Sequence, residues 1–182
     1  MMRKIILDLA ITLDGFIEGP SGEIDWCIMD DDMGFDEFLA DIDTILYGRV
    51  SYDVWGRYQP AAEAPDAEKQ LWEAVHAKKK YVFSRQQRQD DGATYINSEI
   101  PATVAKIKAQ PGKDIWLYGG ASLIKTFIRE GLVDQYQLSV HPIALGSGKP
   151  LFEKLDARLP LRLIGTNSFR SGVVQLVYEP VK

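Results

Sequence analysis

Three short stretches combine glycine, arginine and serine just after runs of β-forming residues. They are Gly48-Arg49-Val50-Ser51, Ser84-Arg85 and Gly119-Gly120-Ala121-Ser122. Glycine lets the main chain come close to a ligand, a serine hydroxyl donates, and a guanidinium grips a phosphate with two parallel hydrogen bonds. A helix that starts at such a junction adds unpaired N–H groups and the positive end of its dipole. In an open α/β sheet, ligands bind off the carboxyl ends of the strands. Three junctions of this kind suit an elongated ligand with several phosphates, and a dinucleotide is the natural candidate. Taken one at a time, each is equally well a turn, a helix cap or a surface arginine. Their recurrence at successive strand ends favours the ligand.

Other chemistries fail on their own patterns. Gly146-Ser-Gly-Lys149 has Ile143 where a phosphate loop needs glycine, and Pro150 follows its lysine. Ser51, Ser84 and Ser122 sit in no Gly-x-Ser-x-Gly elbow. One cysteine, Cys27, and two histidines, His76 and His141, allow no intrachain disulfide and no Cys/His metal cluster, so no metal is expected. His141, before Pro142, reads as a structural hydrogen bonder. The formal net charge of −5 argues against a nucleic-acid surface, and Lys78-Lys79-Lys80 reads as the solvated end of a helix. The apolar run 5–11 is interrupted by Asp8, is too short to span a membrane and lacks the form of a signal peptide. A reducing, cytoplasmic setting is expected.

The elements that must position these groups follow from the hydrophobic pattern. Residues 3–12 read as a first strand buried on both faces, ending at the turn Asp14-Gly15. A helix follows the acidic run Asp30-Asp31-Asp32, with Phe35, Phe38, Leu39 and Ile42 inward. Residues 44–47, 79–84, 94–97, 114–118 and 133–142 read as strands. Residues 52–58, 66–77, 101–109 and 121–128 read as helices, with Ala67, Leu71 and Val75 inward in the second of these. The last helix carries Ala121, Leu123, Ile124, Phe127 and Ile128 on one face and stops at Gly131. Residues 161–169 and 173–179 alternate around Arg170-Ser-Gly172 and read as a hairpin. At 182 residues and 46% apolar the chain is most simply one domain, 1–182. The order predicts an α/β fold in three α/β/α layers, with a mostly parallel mixed sheet and a C-terminal antiparallel hairpin.

The same stretches resemble a known family. Leu13-Asp-Gly-Phe-Ile17, Tyr47-Gly-Arg-Val-Ser-Tyr52, Val82-Phe-Ser-Arg85, Tyr118-Gly-Gly-Ala-Ser-Leu-Ile124, Gly131-Leu-Val-Asp134, His141-Pro-Ile-Ala-Leu-Gly-Ser-Gly148 and Leu151-Phe152 occur in this order over nearly the whole chain. Together they are similar to the dihydrofolate reductase-like fold. More closely they resemble the C-terminal reductase domain of the riboflavin-biosynthesis deaminase–reductase and its stand-alone relatives. The resemblance implies NADPH and hydride transfer to a small heterocycle of pterin, folate or pyrimidine type. Its alternatives are a riboflavin-pathway reductase acting on a ribosylaminopyrimidine phosphate and a module that binds NADPH without turnover.

Position by position, the resemblance puts Ala10 and Ile17 beside the nicotinamide and has Gly48, Arg49 and Ser51 hold phosphates. It brings Ser84 and Arg85 to the adenosine ribose and its 2′-phosphate. Gly119, Gly120, Ala121, Ser122, Leu123 and Ile124 would lie under the pyrophosphate and the nicotinamide side. Trp26 and Trp55 are the substrate-pocket candidates. Folate reductases carry one carboxylate at the start of the first helix. Here Asp30, Asp31, Asp32 and Asp36 crowd that region, so no catalytic residue is assigned. The resemblance also implies a homodimer that covers the C-terminal sheet edge.

Overall fold

The computed structural model describes residues 2–86 and 88–181, apart from the side chain of Asp31. Among the described residues the chain divides into two compact units, each with four strands of mostly parallel sheet. The first unit comprises residues 1–3 and 34–123, the second residues 4–33 and 124–182.

In the first unit, β3 (Ile42–Gly48) pairs in parallel with β4 (Lys79–Phe83) and with β6 (Asp114–Gly119), and β4 pairs in parallel with β5 (Thr94–Ile96). These strands are apolar on both sides. Ile45, Leu46, Tyr47, Val82, Ile115 and Leu117 are all fully buried, as parallel strands between helical layers should be. The helices are α1 (Phe35–Ala40), α2 (Arg49–Ser51), α3 (Asp66–His76) and α4 (Ile100–Lys108). Phe35 and Phe38 of α1 each meet the Trp116 ring of β6 edge-on at 5.5 Å. Such pairs add about 0.5–1.5 kcal/mol beyond the area they bury. Ile42, expected on the helix, is instead the first residue of β3 and is buried there. The turn of Asp41 separates the two elements. Of the three residues expected inward on α3, only Val75 is buried, and Ala67 is exposed. Arg3, read as the start of the first strand, pins this unit instead. Its guanidinium donates to Asp43, to the Thr44 hydroxyl at 2.7 Å and to the Lys113 carbonyl.

α2 runs directly into a π-helical turn, Tyr52–Gly56. That turn closes on Tyr52, which is buried against Tyr47. A Cβ at Gly56 would collide with the Tyr52 ring. The Arg57 guanidinium lies 5.3 Å above the same ring while it binds Asp90.

In the second unit, β1 (Ile5–Thr12) pairs in parallel with β7 (Gln135–His141). β10 (Val174–Pro180) runs antiparallel to both β7 and β9 (Leu161–Ser168), which is the expected C-terminal hairpin. β2 (Phe16–Glu18) and β8 (Lys149–Pro150) form a small antiparallel ladder of their own. Both are too short for any hydrophobic period to reveal. β1 is not buried throughout: Asp8, Leu9 and Ala10 keep some exposure. α5 (Ala121–Arg129) carries the chain from the first unit into the second. Leu123, Ile124, Phe127 and Ile128 are its buried stripe. Emptying the Phe127 position, fully buried, would cost about 3–5 kcal/mol. Among the described residues no helix is long and apolar enough to cross a membrane, and no group of three His, Cys, Asp or Glu side chains could hold a metal ion.

Candidate cofactor and substrate site

The β3–α2 junction and the β6–α5 junction adjoin within the first unit. A Cβ added to Gly48 would stand 3.1 Å from the Gly120 nitrogen, and one added to Gly120 would stand 2.9 Å from the Ser51 hydroxyl. The first is a tight approach to backbone and the second would be relieved only by turning the Ser51 hydroxyl away, so the junction favours bare backbone. Gly119 has φ 120°, which glycine alone adopts comfortably, and its peptide to Gly120 is cis. The conformational demand therefore falls on Gly119 and the steric demand on Gly120.

Gly48 precedes α2 in extended conformation and supplies no side-chain cap. The first N–H groups of that turn are thus left for another acceptor. Tyr47, one residue earlier, is fully buried with its hydroxyl unpartnered. Burial and the neighbouring Tyr118 and Tyr52 push its ionisation well up.

Two arginines converge beside this cradle. Arg49 Nη1 donates to Asp53 Oδ2 at 3.1 Å, and Arg88 Nη1 donates to Asp53 Oδ1 at 2.9 Å. Arg88 lies in the polar loop after β4, where no periodicity marks it in the sequence. Two guanidinium groups share one carboxylate, so the cluster keeps a net positive charge. Phe83 pairs with Gly48 in the β3–β4 register, which brings Ser84 to the same strand ends. The Ser84 hydroxyl accepts from the Gln86 N–H at 3.0 Å, and Arg85 is exposed. Ala121 and Ser122 open α5, and the Leu123 N–H returns to the Gly120 carbonyl at 2.9 Å.

The remaining candidates have other surroundings. Trp55 stacks on Trp72 at 6.2 Å and leans on Tyr58, so it has aromatic partners of its own. Ile17, Ile124, Ala10 and Trp26 belong to the second unit, where Ile17 and Ile124 are buried. Trp26 meets the His141 ring edge-on at 5.3 Å, and its indole N–H is buried without an acceptor. His141 is buried, with Nδ1 2.9 Å from the Ser139 carbonyl and Nε2 3.3 Å from the Ile28 carbonyl. These contacts match the structural role read from its sequence position.

The turn aspartate of Leu13-Asp-Gly is a pin. Asp14 accepts from the Thr12 hydroxyl at 2.7 Å, the Gly146 N–H at 2.7 Å and the Leu145 N–H at 3.2 Å. These donors, Thr12 first, hold its carboxyl below the usual range. Of the acidic run, Asp32 pairs loosely with Arg170 at 3.7 Å, Asp36 is exposed, and the Asp31 side chain lies outside the described residues. The strongly raised carboxyl is elsewhere. Asp8, in the middle of β1, is pushed up from 3.8 to about 7 by burial, against the opposing hydrogen bond of the Gln137 side chain.

Known proteins agree with this architecture. YyaP of Bacillus subtilis (strain 168), an uncharacterized protein, is 63% identical over 178 residues, covering 97% of this chain and 95% of its own. The crystal structure of a putative riboflavin biosynthesis protein from Shewanella sp. PV-4 superposes with a TM-score of 0.79 at 23% identity, covering all of both chains. Dihydrofolate reductase from Enterococcus faecalis, complexed with NADP(H) and RAB-propyl, superposes with a TM-score of 0.68 at 14% identity, again over all of both chains. The fold is thus dihydrofolate reductase-like, and with residues 3–175 matching the RibD C-terminal domain, the chain belongs to that family.

Proposed function

We propose that this chain is an NADPH-dependent reductase that transfers hydride to a small heterocycle of pterin, folate or pyrimidine type. The observation that carries the reading is the bare-backbone cradle of Gly48, Gly119 and Gly120 beside Ser51, with Arg49 and Arg88 converging on Asp53. Main-chain N–H groups, the Ser51 hydroxyl and two guanidinium groups come together at these junctions, a donor set that fits a phosphate. NADPH supplies the hydride. The chain's own part is to bind, orient and shield, and such positioning lowers barriers without a nucleophile or a metal.

In this reading the N–H groups after Gly48 and the Ser51 hydroxyl hold the shared pyrophosphate. Arg49, Arg85 and Arg88, with Ser84, compete for the 2′-phosphate that separates NADPH from NADH. Ala121, Ser122, Leu123 and Ile124 continue the phosphate side, and Ala10 and Ile17 flank the nicotinamide. Trp26 and Trp55 are proposed for the substrate end. A cytoplasmic homodimer belongs to the same proposal: β9 exposes Leu163 and Ile164, and a two-fold partner would cover them.

A riboflavin-pathway reductase acting on a ribosylaminopyrimidine phosphate is the second reading, favoured by the family itself. Steady-state oxidation of NADPH against pterins, folates and ribosylated pyrimidines separates the two. Fluorescence titration with NADPH is run beside it. Binding without oxidation on any substrate would leave a sensor, and absence of binding would overturn the reading altogether.

A further inference from the structure

The apolar stripe of α3 is only partly covered. Ala67, Leu71, Ala74 and Val75 recur along it at helical spacing, the pattern of a helix that packs by one face. Val75 is buried, but Leu71 and Ala74 are half-buried and Ala67 is exposed. α1 packs beside α3 and is too short to cover the rest. Its six residues span about 9 Å, against about 16 Å for the eleven of α3. Between the two helices runs a groove of about 360 Å³, walled by Leu39 and Ala40 of α1 and by Ala67, Leu71 and Ala74 of α3. That is room for a small molecule.

The groove also carries one charge of each sign. Asp36, in the first turn of α1, lines it, and so does Lys78, just beyond the end of α3. The Lys78 ammonium donates to the Leu39 carbonyl at 2.7 Å, which fixes it at the far end of α1, about one turn or 5 Å along the axis from Asp36. An ammonium has three donors, and this bond uses one of them. The Lys113 ammonium stands close by, on the Ala40 carbonyl at 2.5 Å. Burial, and after it the Lys113 charge, hold the Lys78 ionisation below the ordinary lysine range, against the opposing pull of Asp43. A carboxylate placed there would favour the charged form.

We propose that the groove between α1 and α3 binds a short linear ω-amino acid, with its carboxylate on Lys78, its ammonium at Asp36 and its methylene chain along Leu39, Leu71 and Ala74. Opposite charges set apart by an apolar wall match a molecule of the same pattern. The charges fix its direction in the groove, and burial of its methylenes adds affinity. A fatty acid or an alkylamine satisfies one end alone. An α-amino acid has both charges on one carbon and leaves one end of the groove empty. Asp36 and Lys78 both keep contact with water, so neither ion pair is strong by itself, and the preference comes from meeting both. The site stands apart from the reductase reading: its residues lie on α1, on α3 and in the turn after α3, and the cofactor cradle uses none of them.

The test is calorimetric titration of the whole chain at low salt with 6-aminohexanoate, hexanoate and hexylamine. The parent should bind 6-aminohexanoate at least about fivefold more tightly than either singly charged probe, the size of one partly exposed ion pair. Asp36→Asn should lower that affinity to the level of hexanoate. Lys78→Gln should lower it to the level of hexylamine, while the glutamine amide keeps a donor for the Leu39 carbonyl. Circular dichroism confirms the fold of each variant, and Asp36→Asn, at an exposed position, decides alone if Lys78→Gln does not fold. A parent that binds none of the probes, or binds 6-aminohexanoate no more tightly than the other two, overturns the proposal. So does either variant that folds and keeps the preference.

Discussion

The strands of the first unit are mostly apolar on both faces, whereas β1 and β7 of the second alternate apolar residues with Asp8, Thr12, Gln137, Ser139 and His141. In the first, Leu46 and Tyr47 are adjacent and both fully buried, as are Leu117 and Ile115 two positions apart. The body of those strands is mainly apolar core and its Asp43 and Thr44 are held by Arg3, so the polar groups that bear on the proposed function gather where the strands stop, at Gly48, Ser84 and Gly119. In the second, Leu7 and Asp8 are adjacent, one in the core and the other on a row of glutamines, serine and histidine. There the strand body itself carries polar side chains. The difference follows from hydrogen-bonding need. A strand end exposes N–H groups and turns that suit a phosphate, while polar side chains within a strand body need partners on the paired strand, as Asp8 has in Gln137.

The comparison is broken most severely by filling the first unit's cradle. Gly120→Val puts a branched side chain where even a Cβ would stand 2.9 Å from the Ser51 hydroxyl. NADPH affinity, followed by fluorescence titration, should fall more than about a hundredfold, some 2.7 kcal/mol. Next come the arginines. Loss of one guanidinium–phosphate contact is worth roughly 1.5–3 kcal/mol, so Arg85→Ala or Arg88→Ala should weaken NADPH about tenfold to a hundredfold and leave NADH nearly unchanged. Arg49→Ala should weaken both cofactors if it holds the shared pyrophosphate. Since Arg49 and Arg88 meet on one carboxylate, their double variant should depart from additivity. Equal affinity for both cofactors in the parent, with no loss in any arginine variant, removes the phosphate assignment.

The second unit's polar face makes a smaller, opposite prediction about stability. Asp8 titrates at about 7 when folded and near 3.8 when unfolded, so the folded chain holds the extra proton between those values. Its contribution is fully present below pH 3.8 and is lost as the pH rises towards 7. Asp8→Asn should therefore match the parent in thermal unfolding near pH 3.5 and exceed it at pH 8, by several degrees for a chain of this size. An equal midpoint at pH 8 would mean that the carboxyl is well solvated. Least of all should come from the exposed pair of Lys149 and Glu18, 2.6 Å apart between β8 and β2. Lys149→Ala should cost under about 0.5 kcal/mol, and less still in high salt.

Much of this was legible in the chain. The long strands and helices announced themselves through local periodicity, and the glycine junctions through composition. Errors fell where local signals are weak. Ile42 fits the apolar stripe of α1 as well as the start of β3, and only the turn at Asp41 decides between them. β2 and β8, three and two residues long, have no period to detect. Arg3 reads as a strand residue because its partners Asp43 and Lys113 are distant in sequence. Asp8 is visible in the sequence only as an interruption in an apolar run, since its partner Gln137 is distant along the chain.

The sequence by itself therefore determined the fold class, the family and the glycine- and arginine-bearing strand ends, because each is carried by neighbours along the chain: a hydrophobic period, a turn residue, a motif of a few positions. Tertiary structure alone decided that Arg88 joins Arg49 on Asp53, that Gly120 lies against the Ser51 hydroxyl, and that Asp8, Gln137, Ser139 and Gln175 share one face. Side chains alternate along a strand, so a register slip of one residue would send Asp8 to face Tyr136 and Leu138 instead, and register is settled only when strands far apart in sequence pack together.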